Sequence, residues 1–355
     1  MAYTTIDDSS AYFQSKTYTG NGSDNHAITL DGNSNLQPDW VWIKCRSNSS
    51  YNHNLYDSVR GATKYIFSNS TGAEVTDALT LKSFNSDGFT LGTDASNLEV
   101  NDNTKTYVAW NWKAGTTSGI ATNGSTTITP SAYSFNQTAG FSIIKYTGNS
   151  TSGAKIPHGL GVAPDVMIVK ATNATYEWGV YHSSLGANKL IELQSTAAAS
   201  TSSVLWNDTA PDSVNFTVQA NNRTNTGSVY VGYMFAAKQG FSKFGSYIGN
   251  GNANGPFVYT GFKPAFTLFK KTSGTSEWFL YDNKRLGYNV TEKVIEANTS
   301  SAEDSNSATY IDYLSNGFKP RGTSGNTNAS GSTYIYLAFA ENPFVTSTGI
   351  PTTAR

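Results

Sequence analysis

The sequence predicts an all-β protein built as three tandem, repeated antiparallel β-sandwich domains of jelly-roll or lectin-like type. Three observations predict it. An apolar run led by proline and closed by lysine occurs three times, as Pro38–Lys44, Pro164–Lys170 and Pro264–Lys270. The landmarks around that run recur in one order at near-constant spacing, the signature of an internal repeat. Short β-branched and aromatic runs are punctuated by Gly, Asn, Asp and Ser, and no helical period is sustained over several turns.

Residues 1–14 read as an N-terminal arm and a candidate attachment segment. Repeat one spans 15–115, repeat two 140–239 and repeat three 240–345. Each repeat opens on Tyr-x-Gly-Asn: Tyr18–Asn21, Tyr146–Asn149 and Tyr247–Asn250. The proline follows that tyrosine by 20, 18 and 17 residues. Proline suits a strand start, where its missing N–H costs no ladder bond, and the closing lysine is expected to put charge where the strand leaves the core. A Tyr-Asp or Tyr-His pair comes next, at Tyr56-Asp57, Tyr181-His182 and Tyr281-Asp282. Then a turn leads into Phe89, Phe216 and Phe318. Each repeat closes on an aromatic strand, from Tyr107, Tyr230 and Tyr334, which lie 69, 66 and 70 residues past the proline. Val59–Lys64 reads as a short helix or an irregular loop.

Residues 116–139 read as a Ser/Thr/Gly-rich linker, with Thr126–Thr129 able to pair as an edge strand. No such spacer separates repeats two and three, so those two are expected to pack as a semi-rigid pair, with repeat one placed independently. Residues 346–355 form a C-terminal tail. A propeller is disfavoured because its blades are shorter and at least four are needed. A solenoid is disfavoured because its repeats run ~20–45 residues.

Composition excludes several function classes. Charged residues are 14% of the 355, with a net charge of −1, so the basic footprint of a nucleic-acid binder is absent. The 21 Tyr, 18 Phe and 7 Trp supply a core that a disordered polar chain would lack. No apolar run approaches the ~20 residues that span a bilayer, and the first residues lack the basic and apolar regions of a signal peptide. The lone Cys45 excludes an intrachain disulfide and a cysteine zinc cluster. It is expected to be buried and inert.

Catalytic chemistry finds little to stand on. His26, His53, His158 and His182 fall at non-equivalent places without metal spacing and read as loop or surface residues. Asp57 and Asp282 are equivalent, but His182 replaces them in repeat two. Glu177 and Glu277 each precede a Trp, and repeat one lacks both. A glycosidase needs only two carboxylates, yet repeated ones more often serve turns or ion pairs. Asn101-Asp102-Asn103 offers oxygens for calcium, without EF-hand spacing, and turn chemistry explains it. The sequence therefore points to no enzyme, cofactor or metal site. The ligand-binding candidates are Trp178 and Trp278, equivalent residues that stack on a glycan if their faces are exposed. The competing reading puts their rings in the core.

Ala2–Asp8 with Tyr12-Phe13-Gln14, Gln37–Lys44, Val59-Arg60-Gly61, Tyr107–Gly115 and Tyr247–Gly251 together resemble virion proteins of tailed phages, especially marine ones. The resemblance covers nearly the whole chain. It implies a virion setting, and with the aromatic candidates the expectation is a structural protein on the outer surface of the particle, of tail-fibre or receptor-binding type, that contacts host glycans. The alternatives are a capsid-decorating protein with an architectural role and a polysaccharide-degrading tail enzyme. Its implied partners are other virion proteins and further copies of itself in a symmetric homo-oligomer, without nucleic acid or membrane insertion.

Overall fold

The computed structural model describes residues 2–95, 99–286 and 288–352. Every strand pairing among them is antiparallel, and the only helical elements are two single-turn 3-10 segments, Ser9–Ala11 and Ser307–Thr309.

Each repeat builds one large sheet. In repeat one its strand order is Phe13–Thr19, Thr106–Trp112, Trp40–Cys45, His53–Asp57, Lys64–Phe67 and Val75–Thr76. Repeat three follows the same order with Ser242–Ile248, Thr333–Pro343, Phe262–Lys271, Trp278–Asp282, Lys293–Glu296 and Asp304–Ser305. Repeat two keeps the central part: Phe141–Thr147, Val229–Phe235, Val166–Ala171 and Gly179–His182. The register repeats as well. Tyr18 faces Tyr107, Tyr146 faces Tyr230 and Tyr247 faces Tyr334, with rings stacked at 5.0, 5.2 and 5.0 Å. A smaller sheet accompanies each large one. The phenylalanine landmarks pair there with Ile28, Ile156 and Val258.

The Tyr-x-Gly-Asn landmark has a steric cause. A Cβ at Gly20, Gly148 or Gly249 would lie 2.3, 1.9 or 2.4 Å from a backbone carbonyl oxygen, of Asp102, Thr226 or Ala329. The next residue, Asn21, Asn149 or Asn250, donates its N–H to the side chain of Asn101, Asn225 or Asn328. The opening tyrosines complete the latch by donating to the carbonyls of Val100, Thr224 and Thr327.

Several expectations are corrected. Pro38 and Pro164 precede their strands, but Pro264 lies inside one. Its strand shifts register on both sides of Pro264, the irregularity by which a sheet tolerates a residue without N–H. Of the two readings of Val59–Lys64 the irregular loop is the one found: the segment forms turns, with Lys64 opening the next strand. The 116–139 segment is not a free connector. Ala132–Asn136 adds a strand beside Phe141–Thr147, Thr127 and Ile128 both donate to the Lys155 carbonyl, and Ile128 is buried. The N-terminal arm is packed too: Thr4, Ile6 and Ser9 are buried, Tyr3 bonds the Gly261 carbonyl, and Tyr12 sits edge-on to Phe241.

Repeat one is therefore not placed independently. One buried cluster runs through all three repeats, with Trp40, Trp112, Phe141, Phe235, Phe266 and Phe339 at its centre. Trp40 stacks on Tyr233 at 4.5 Å, and Phe13 stacks on Phe339 at 5.3 Å. These residues sit at equivalent register positions: Trp40 opposite Trp112, Val166 opposite Phe235, and Phe266 opposite Phe339. The inward rows of three large sheets thus share one core.

Candidate functional site

The recurring polar residues of the repeats converge on the junctions between them, and they do so cyclically. The strand-closing lysines come first. Lys44 donates to the Ser300 carbonyl of repeat three at 2.9 Å. Lys170 donates to Thr71 of repeat one at 3.0 Å, and Lys270 to Thr196 of repeat two at 2.8 Å. Each reaches the preceding repeat, and the third contact closes a ring. All three are fully buried rather than leaving the core. Desolvation pulls each ammonium down to about 8, opposed only in part by Cys45 and Glu99 at Lys44, Glu177 at Lys170 and Glu277 at Lys270.

The aromatic position obeys the same rule. Trp178 Nε1 donates to the Phe67 and Ser70 carbonyls, both at 3.1 Å, and Trp278 Nε1 to the Glu192 carbonyl at 3.0 Å. His53 stands in their place in repeat one. Its Nδ1 accepts from Trp42 Nε1, a group that can only donate. Its Nε2 therefore carries the proton and donates to the Glu296 carbonyl at 2.9 Å. Trp178 and Trp278 are 0% and 1% exposed, so neither ring has a free face for a sugar. The expected stacking site is corrected to a pair of inter-repeat pins. The alternation of the strand turns these rings into the junction, and the indole N–H satisfies a neighbouring carbonyl.

The Tyr-Asp landmark is the third clasp. Asp57 binds Arg60 at 2.5 Å and accepts from the Tyr233 hydroxyl at 2.7 Å. Asp282 binds Arg285 at 2.6 Å and accepts from Trp110 Nε1 at 3.0 Å. Both ion pairs are buried, and each arginine also bonds a carbonyl two residues before its aspartate, Leu55 or Leu280. Burial works against the Arg60 charge, but Asp57, Tyr233 and Glu74 outweigh it and hold its pKa above the ordinary value. At the remaining junction His182 replaces the aspartate. It accepts the Ser184 N–H on Nδ1 and donates from Nε2 to the Tyr336 carbonyl at 3.2 Å. Desolvation lowers it to about 4, and desolvation likewise holds His53 well below 6.5. Outer strands complete the ring in the opposite sense: Glu74, Ala199 and Glu303 donate their N–H groups to Thr172, Thr272 and Arg46.

These placements revise the histidine expectation. His53, His158 and His182 are buried with both ring nitrogens bonded, and only His26 is partly exposed. They also account for the repeated aspartates, whose oxygens are held in ion pairs. Glu177 lies 3.6 Å from Arg223 and Glu277 bonds Asn298. Cys45 is buried, as expected. Among the described residues no group of three or more His, Cys, Asp or Glu could hold a metal ion, and no helix is long and apolar enough to cross a membrane.

Open space lies along the boundaries of repeat one. A groove of about 600 Å³ runs between repeat one and the 116–139 segment, lined by Asp39, Ser58, Lys113, Tyr133 and Ser134. Asp39 is fully engaged there, accepting from Ser58, Ser134 and the Ala114 N–H. A cleft of about 210 Å³ between repeats three and one is lined by Asp31, Gln14, Asn283 and Lys284, with Lys284 paired to Asp31 at 3.0 Å. Both recesses are partly open to solvent and lined by polar and apolar atoms alike. The sequence marks the repeated Lys44, Lys170 and Lys270 but not their direction, and it assigns no role to Arg60 or Arg285.

Antiparallel sheets held in a closed ring by buried polar clasps define an all-β protein whose three repeats form one body. The chain belongs to the family described as a domain of unknown function, DUF7483, whose profile matches residues 8–343. No curated protein and no solved structure matches it.

Proposed function

We propose that the chain is a virion structural protein displayed on the particle surface, of tail-fibre or receptor-binding type, whose three repeats are β-sandwich units that contact host glycans. The observation that carries this reading is the ring. The repeated Lys, Trp, Asp and Arg residues are committed to holding three units in fixed relation, which is scaffold work. The repeated carboxylates Asp57 and Asp282 are buried partners of arginine and belong to that scaffold. A ring within one chain holds three units in fixed relation, so a contact made by one unit is presented at a fixed place on one rigid body. Low charge and abundant Ser, Thr and Asn fit contact with neutral hydroxylated ligands.

Capsid decoration is the second reading. It is favoured by the arm, which is folded onto repeat three and so is not extended for attachment. Labelling the chain in purified particles and imaging them tests both. Label at the tail tip supports the first reading, label over the capsid lattice supports the second, and particles without the chain overturn both.

A further inference from the structure

Repeat three departs from the other two at one solvent-facing place. Val258, Ile28 and Ile156 are equivalent, each buried opposite the landmark phenylalanine of its small sheet. Side chains alternate along a strand, so the residues on either side of them lie on the opposite face. In repeat one these flanks are the exposed Ala27 and Thr29, and in repeat two the half-buried Lys155 and the buried Pro157. In repeat three they are Phe257 and Tyr259, which are 49% and 55% exposed. Two large rings in water contribute little to the fold, and the other repeats manage without them.

Their surroundings make a platform. Tyr259 lies opposite Gly317, and the Phe257 ring comes so close to that glycine that a Cβ there would sit 2.9 Å from it. The missing side chain leaves room for the Phe257 ring against the paired strand. Tyr3 of the arm extends the aromatic row, its hydroxyl 3.4 Å from that of Tyr259. Lys319 and Asn254, bonded to each other, supply polar groups at the rim, because Lys319 follows the inward Phe318 on the paired strand.

We infer that Phe257 and Tyr259 form a saccharide-binding platform unique to repeat three. This rests on the glycan reading above and gives it a location. A sugar ring offers an apolar C–H face to an aromatic ring and hydroxyls to its edge, the complement of two flat rings with an amide and an ammonium beside them. Size favours a small occupant. Two half-exposed aromatics offer on the order of 200 Å², well short of the ~800 Å² per partner of a stable protein interface.

The test uses the full chain on an array of hexasaccharides of glucose, galactose, mannose, rhamnose, N-acetylglucosamine and uronic acids, followed by titration of any hit. Phe257→Ala and Tyr259→Ala should each weaken binding at least tenfold without moving the thermal midpoint, and Ile248→Ala, an exposed apolar control, should leave it unchanged. Wild-type binding that both variants retain overturns this site and leaves the glycan reading standing. No binding to any sugar by wild type overturns the glycan reading, and the platform with it. A wild-type dimer that the variants dissociate in sedimentation also overturns the site, since the face would then be an interface between copies.

Discussion

Trp178→Ala separates a buried pin from a surface stacking residue. The ring is fully buried at the junction of repeats two and one, and its Nε1–H serves two carbonyls. Truncating a buried aromatic to alanine costs about 3–5 kcal/mol. Leaving the Phe67 and Ser70 carbonyls short of a donor adds roughly 1 kcal/mol. The expected loss of about 4–6 kcal/mol is comparable with the whole stability of many proteins, ~5–15 kcal/mol. Trp178→Phe keeps most of the ring and removes only the donor, so its cost should be about 1–2 kcal/mol. Urea unfolding followed by far-ultraviolet dichroism measures both, as a fall in midpoint at constant slope. A Trp178→Ala protein within about 1 kcal/mol of wild type would refute the pin.

Other expectations follow from the same clasps. The three buried lysines titrate near 8 in the folded chain against 10.5 when exposed. The folded state thus sheds protons first, and stability should rise with pH from about 8 until tyrosine ionisation intervenes near 10. The slope is at most ~1.4 kcal/mol per pH unit for each lysine, and Lys170→Met should reduce it in denaturant titrations at stepped pH. The buried neutral histidines act at the other end: with folded pKa values below 6.5, stability should fall as pH drops from 6.5 toward 4. His182→Gln should flatten part of that fall. Removing residues 2–12 strips Ile6 and Tyr12 from repeat three and should lower the thermal midpoint by several degrees in calorimetry, where an unchanged midpoint would mean the arm is not part of the body.

The all-β class was legible because its marks are local: alternating aromatics, glycine and asparagine turns, and a landmark order that survives in three copies. Gly20, Gly148 and Gly249 recur because a carbonyl lies where a Cβ would be, and such a steric demand shows directly as an invariant letter. The junctions were not legible. Alternation says that Trp178 and Lys170 face away from water or toward it, but burial against a residue such as Ser70 or Thr71, about a hundred positions away, depends on how whole sheets pack. The linker misled for a related reason. Its Thr/Ser/Gly composition offers few large apolar residues, Ile120, Ile128, Tyr133 and Phe135, and those few hold it against the body. Phe257 and Tyr259 drew no notice because exposure, not type, distinguishes them from the other aromatics.

The ring is tested most directly by cutting the chain where it crosses from repeat one to repeat two. A protease site placed at Ala121–Asn123, an exposed stretch, allows cleavage of the folded protein followed by size-exclusion chromatography with light scattering. The two fragments should elute together at the 38.1 kDa mass of the intact chain and separate only in denaturant. Elution of the N-terminal fragment as an independent folded species under native conditions would contradict it.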